Sequence, residues 1–193
     1  MPDLSFVKQH YEDQRSEDAA TAFPYWAKLW PSSIALSEFI LQHPAFVAGR
    51  QVLEVAAGLG LPSLVAAHTA AKVHCTDMDA DAMEMAAASA AAAQLTNMHC
   101  EVLNWNHIPA GLRADTLLLS DVNYEPEVFE SLMNLLTHFL NHGTTIVLTT
   151  PERLMAKPFI ESLLVWTVLH ERKQVFHEGQ RHDISVLVLQ RKF

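Results

Sequence analysis

The residues best suited to chemistry begin at a glycine-bearing turn. Residues Gln51 to Leu64 read QVLEVAAGLGLPSL. Val52, Leu53 and Val55 flank Glu54, and Ala56, Ala57, Gly58 and Gly60 then open into a second apolar run, which predicts strand, tight turn and helix. Glycines at 58 and 60 can take positive φ and let backbone N–H groups and a helix N-terminus approach a ligand closely. A dinucleotide loop would read G-x-G-x-x-G, but Ser63 stands at the third glycine position. Glu54, a carboxylate at the end of the strand, should repel a pyrophosphate and suit a ligand bearing an ammonium group. An amino acid joined to a nucleoside meets that requirement, and S-adenosylmethionine is the obvious one.

Further polar residues recur at predicted strand ends. Asp77 follows KVHCT about twenty residues past the glycine turn, where an acid can accept hydrogen bonds from both hydroxyls of a ribose, with Met78 beside it. The competing role for Asp77 or Asp79 is to cap the next helix. Ribose binding is assigned to Asp77 and capping to Asp79. Asn104 and Trp105 follow a third strand, where an amide could bond an adenine edge and an indole could pack on the base; a buried tryptophan without a ligand fits the residues equally well. Asp121 and Tyr124, in SDVNY after TLLLS, should face the reacting centre, because carboxyl ends of parallel strands line the ligand crevice. His138 and His142 have the i, i+4 spacing of a metal pair, but no third ligand is apparent and no metal site is assigned.

Periodicity supplies the elements that position these groups. A short helix is expected around Leu4 to Arg15, followed by the aromatic and proline-rich stretch FPYWAKLWP, read either as an apolar plug or as a wall beside the ligand. Ser32 or Ser33 is expected to cap a helix reaching about Gln42. Helices are predicted to about Thr69, over Ala80 to Leu95, from about Pro126 to Asn141 and over Leu154 to Leu164. Strands are predicted at Lys72 to Thr76, Met98 to Leu103, Thr116 to Ser120 and Thr144 to Thr149. Thr167 to Phe176 and Asp183 to Gln190 should pair antiparallel around a polar turn at 177–182. Five strand–helix alternations and a terminal hairpin predict an α/β, Rossmann-like doubly wound sheet with helices on both faces. Residues 1–22 read as an N-terminal arm and 23–193 as a single domain.

With 193 residues, half of them hydrophobic, the chain can bury a sizeable core. A net charge of −9 argues against a nucleic-acid backbone as partner. Cys75 and Cys100 lie in predicted strands without a C-x-x-C pattern and read as reduced core thiols. No leader-like start and no run of eighteen apolar residues is present, so a cytoplasmic, monomeric protein with no membrane contact is the expectation.

Taken together, Trp30-Pro31, LEVAAGLGL, Thr76-Asp77, LNW at Leu103 to Trp105 and SDVNY at Ser120 to Tyr124 resemble the seven-stranded class I methyltransferases that use S-adenosylmethionine. Within these the chain is similar to the nicotinamide-methyltransferase-like family of protein-lysine methyltransferases, and PYWAKLWPSSIALS to the branch acting on the electron-transfer-flavoprotein β-subunit. The resemblance spans about Phe23 to Phe193. It implies that Trp30 and Ser120 contact the cofactor, that Ala56 to Gly58 surround its amino-acid part, that Asp77 holds the ribose and that Trp105 lies against adenine. Asp121 and Tyr124, matching the family's D-x-x-Y motif, would line the entry for the acceptor nitrogen. Two positions depart from the pattern: Ala56 replaces the first glycine of E-x-G-x-G-x-G, and Asn104 stands where Asp is common. The expected reaction is methyl transfer to a protein lysine, yielding S-adenosylhomocysteine, with Asp121 aiding deprotonation and Tyr124 orienting the amine. A small-molecule acceptor, or cofactor binding without turnover, are the alternatives.

Overall fold

A computed structural model describes residues 4–17, 23–123 and 125–191. Strands β1 (Gln51–Glu54), β2 (Lys72–Asp77), β3 (Met98–Val102), β4 (Thr116–Ser120), β5 (Thr145–Pro151), β6 (Thr167–His177) and β7 (Gln180–Leu189) form one sheet. Their order is β3-β2-β1-β4-β5-β7-β6. The first five are parallel, and β7 inserts antiparallel between β5 and β6. This is the doubly wound sheet with a C-terminal hairpin that the alternation predicts.

Helices α1 (Leu4–Glu17), α2 (Pro31–Gln42), α3 (Leu61–Ala67), α4 (Ala80–Ala92), α5 (Phe129–Asn141) and α6 (Lys157–Leu163) accompany the sheet. Because side chains alternate along a strand, each face collects its own core. On one face Phe39 and Leu36 of α2 and Ala66 of α3 pack on Val52, Val73 and Leu118. On the other, Leu132, Leu136 and Phe139 of α5 meet Leu53, Leu117 and Ile146. The alanines of α4 let it sit close to the sheet, with Ala82, Met83 and Ala86 against Cys75 and Ala57.

Several boundaries differ from the sequence expectation. Helix α2 has no side-chain cap at Ser32 or Ser33; it starts at Pro31 after Trp30, since proline's missing N–H is no loss at the first helical position. Ser33 Oγ instead donates to the Trp30 carbonyl at 2.8 Å. Helices α3 and α4 stop at Ala67 and Ala92, short of Thr69 and Leu95. A single-turn 3-10 segment precedes both α5 and α6. The hairpin turn is tighter than expected, as pairing continues to His177 and Gln180. Glu178 and Gly179 make the turn alone with φ of 49° and 73°, and two left-handed residues match the twist of paired strands.

Two features bear on the site. Of the N-terminal arm, residues 4–17 are helical, and Tyr11 meets Phe23 edge-on at 5.2 Å; the remainder of the arm lies outside the described residues. The β3–β4 connection carries only a 3-10 turn, Trp105–His107. No helix forms there, so His99 and Glu101 of edge strand β3 stay exposed. No helix among the described residues is long and apolar enough to cross a membrane.

Candidate active site at the carboxyl ends of the strands

The glycine turn is held from three sides. Ala57 N donates to the Thr76 carbonyl at 3.0 Å, Thr76 Oγ1 donates to the Glu54 carbonyl at 2.8 Å, and Gly58 N donates to Asp77 Oδ2 at 2.8 Å. Gly58 and Gly60 have φ of 53° and 69°. A Cβ on Gly58 would lie 3.3 Å from the Trp26 carbonyl oxygen, and one on Gly60 would lie 3.0 Å from Cys75 Sγ. Glycine is therefore required here for both conformation and space.

Ala56, where the related pattern has glycine, also takes a left-handed conformation, with φ 51°. The residue is exposed, so its Cβ has room, but the left-handed strain against its own backbone remains. Ala56→Gly is expected to raise the unfolding free energy by about 0.5–1 kcal/mol, relief of left-handed strain outweighing glycine's larger unfolded-state entropy. A higher urea midpoint at unchanged slope is the readout; a lower midpoint would mean that the methyl group makes a contact worth more than the strain.

Glu54 requires a revision of the charge argument. The residue is completely buried, and its Oε2 accepts from both Ser63 N at 2.9 Å and Ser63 Oγ at 2.5 Å. Burial pushes its carboxyl up to about 8 despite the lowering effect of the Ser63 bonds, so the group is largely neutral near pH 7. It does not repel a pyrophosphate as an anion would. The residue that breaks the dinucleotide fingerprint, Ser63, is the one that holds the acid in place.

Asp77 lies at the end of β2, 8% exposed, with Oδ2 on Gly58 N and Oδ1 accepting from Asp79 N at 3.0 Å. Burial raises its carboxyl above the usual value, partly offset by those amides. With the Gly58, Asp79 and Met78 amides around it, the carboxylate still has acceptor capacity for a further donor. Asp79 caps α4, its side chain accepting from Asp81 N and Ala82 N, as the sequence predicts. Met78 beside it is 70% exposed.

Leu103 N donates to the Asp77 carbonyl at 2.8 Å, which brings the start of the β3–β4 connection alongside. Asn104 Oδ1 accepts from Asn106 N at 2.9 Å and shapes its own turn. Trp105 is half-buried and packs against the α5-side core, as the reading of a core tryptophan expects. In the aromatic stretch, Trp30 is half-buried, its Nε1 donating to the Tyr25 carbonyl at 2.9 Å, with Lys28 Nζ 5.5 Å from the ring centroid. The backbone of Trp26, which sequence reasoning did not single out, is what presses on Gly58.

At the tip of β4, half-buried Ser120 leads into Asp121, whose φ of 57° is unusual for a residue other than glycine. Asp121 N donates to the Thr149 carbonyl at 2.9 Å, and Arg153 Nη1 donates to Asp121 Oδ1 at 2.5 Å. Arg153, in the exit loop of β5, is a further residue missed from sequence; its only signal was a cation one strand over from a strand-end acid. Asn123 is fully buried, and neither its amide nitrogen nor its amide oxygen has a hydrogen-bond partner among the described residues. Tyr124 lies outside the described residues. His142 Nδ1 bonds the His138 carbonyl at 2.7 Å.

The residues present fit an amino acid–nucleoside cofactor. The turn has no room for side chains at its glycines, an acid at the next strand end has acceptor capacity to spare, and Glu54 Oε1 is buried without a partner among the described residues.

Comparison with known proteins bears on the family and the fold. A family profile described as "Lysine methyltransferase" matches residues 16–166. The electron transfer flavoprotein beta subunit lysine methyltransferase of Mus musculus is 28% identical over 67% of this chain and 51% of its own. The histone-arginine methyltransferase METTL23 of Homo sapiens is 32% identical over 59% of this chain and 63% of its own. The chain spans about half the length of most of the curated relatives it matches. The N-methyltransferase NodS from Bradyrhizobium japonicum, solved with S-adenosyl-l-homocysteine, shares the fold with a TM-score of 0.66 over 93% of this chain and 97% of that one, at 13% identity.

Proposed function

The chain belongs to the lysine methyltransferase family, and on that premise we propose that it transfers a methyl group from S-adenosylmethionine to a side-chain nitrogen of a protein, with lysine as the first candidate. The observation that carries the reading is the clasp at the strand ends, in which Asp77 grips the glycine turn through Gly58 N at 2.8 Å. It builds a closed loop and an acceptor-rich ribose site together.

When bound, the cofactor supplies an electrophilic methyl group on a sulfonium and leaves as S-adenosylhomocysteine. The chain's part is alignment and proton handling. Asp77 accepts from the ribose hydroxyls, residues 56–58 surround the amino-acid part, and Asn104 and Trp105 border the base; Trp30, Met78 and Ser120 are further candidate contacts. An ammonium acceptor has no lone pair and must lose a proton first. Asp121 is the group for this, since Arg153 occupies only Oδ1 among the described residues, leaving Oδ2 to accept an acceptor N–H and pass the proton to water. Tyr124 is proposed to orient the amine.

Arg153 acts as a positioning residue, holding Asp121 at its left-handed φ. Arg153→Met is expected to lower kcat by about tenfold to a hundredfold, the worth of one charged hydrogen bond of about 1.5–3 kcal/mol. Donor affinity should stay the same, and Arg153→Lys should recover part of the loss. Equal losses in kcat and in donor affinity would assign Arg153 to the cofactor site instead.

The deciding experiment supplies labelled donor and a cell lysate to the wild type and to Asp77→Ala, then hydrolyses the labelled protein. Methyl-lysine formed only by the wild type supports the proposal. Methyl-arginine would favour the second reading, to which the identity with human METTL23 points. Label confined to small molecules would refute a protein acceptor. The acidic charge of −9 supports a protein or small molecule over a nucleic acid. The free thiols of Cys75 and Cys100 support a reducing, cytoplasmic setting, where the chain is proposed to act as a monomer.

A further inference from the structure

We infer that His74, His99 and Glu101 form a binding site for a divalent transition-metal ion, zinc being the ion their chemistry fits, on the face of the sheet left open at β2 and β3. Parallel pairing sets His74 beside His99 and Thr76 beside Glu101. Alternate residues of a strand share a face, so both imidazoles and the carboxylate project from the same side. Cys75 and Cys100, paired one position along, project from the other.

The spacing is that of a ligand set. His74 Nε2 lies 2.8 Å and His99 Nε2 4.0 Å from Glu101 Oε2. All three ligand atoms fall within 4.8 Å of one another. Ligands of a tetrahedral zinc at about 2.0–2.1 Å are separated by about 3.3 Å, which lies between those two distances. The adjustment falls on His99 and Glu101, whose side chains are 65% and 53% exposed, with zinc replacing the hydrogen bond that joins His74 Nε2 to Glu101 Oε2, while His74 at 20% is held by the strand. Two neutral imidazoles and one carboxylate form the ligand set of open zinc sites, with a fourth position left for water.

The site arises because no helix covers the β3–β4 connection, and it joins edge strand β3 to β2, the strand that ends in Asp77. Sequence spacing drew attention to His138 and His142; the pairing of His74 with His99 crosses two strands and has no local pattern. The inference is independent of the methyltransferase reading.

The test is calorimetric titration of the untagged full chain with Zn2+, with thermal unfolding in parallel. The expected result is saturable one-to-one binding with Kd below about 10 µM. The melting temperature should rise by about 5–10 °C at a hundredfold excess of zinc over Kd. His99→Ala and Glu101→Gln should each weaken zinc binding at least tenfold and cancel the thermal shift while leaving the melting temperature without zinc unchanged. The double variant His138→Ala/His142→Ala and Cys100→Ser should bind zinc as the wild type does. No saturable binding, binding within twofold of wild type in both His99→Ala and Glu101→Gln, or loss of binding in either control variant would overturn the assignment.

Discussion

Asp77→Ala is expected to lose S-adenosylmethionine binding in calorimetry by about a hundredfold or more. The substitution deletes both carboxylate oxygens at a position 8% exposed. Gly58 N and Asp79 N, now donating to Oδ2 and Oδ1, would be left without acceptors at the moment the ribose loses its own. Charged hydrogen bonds contribute about 1.5–3 kcal/mol each, and tenfold in affinity is about 1.4 kcal/mol, so even two lost bonds exceed a hundredfold. Asp77→Asn separates the roles: it keeps one acceptor oxygen but turns a donor toward either the turn or the sugar, and should fall between wild type and alanine. NAD serves as the control ligand and should not bind, because Ser63 stands where its loop needs glycine. A melting temperature for Asp77→Ala close to wild type excludes global unfolding as the cause. Donor affinity within fivefold of wild type in a folded Asp77→Ala protein would remove the ribose role.

The second large effect concerns pH. Glu54 ionises at about 8 in the folded chain against an ordinary value of 4.5 in the unfolded one. The folded state therefore holds a proton that the unfolded state has released, and stability declines as pH rises through this interval. The stabilising proton is fully present below pH 4.5 and its advantage is gone above about 8. At one pKa unit per 1.36 kcal/mol, the decline is at most about 5 kcal/mol, or a fall of at most about 10–20 °C in melting temperature for a chain of this size. Glu54→Gln keeps a carbonyl to accept from Ser63 N and Ser63 Oγ but cannot titrate. Its melting temperature should change far less than the wild type's between pH 5 and pH 8.5. Asp77, raised by burial, adds to the decline, whereas His74, lowered by burial, opposes it on the acidic side. Both residues are present in the two proteins, so the difference between the curves isolates Glu54. Parallel curves would show that Glu54 is ionised in the fold at neutral pH.

The two experiments bear on the site in different ways. Asp77 reports whether the strand-end acid contacts a ligand, whereas Glu54 reports how the loop behind it is held without one. A chain with the Glu54 response but no donor binding would possess the scaffold of the family without its cofactor site.

Much of the molecule is legible locally. Alternation of apolar strand and helix patterns is enough to anticipate the parallel sheet and the terminal hairpin, since a strand buried on both faces and an amphipathic helix each carry their own period. Asp79 as a helix cap follows from its place before Ala80, and Gly58 and Gly60 follow from the turn that strand and helix require. Other features depend on which strands become neighbours. That Arg153 clamps Asp121, that Ser63 consumes Glu54 and thereby holds it in the buried position that neutralises it, that the Trp26 backbone rests on Gly58, and that His74, His99 and Glu101 share one open face all depend on contacts between segments well apart in the chain. No local pattern encodes such pairs: strand order, register and the burial that shifts a carboxyl's ionisation exist only once the whole sheet has closed, because they depend on neighbours that the chain supplies from elsewhere.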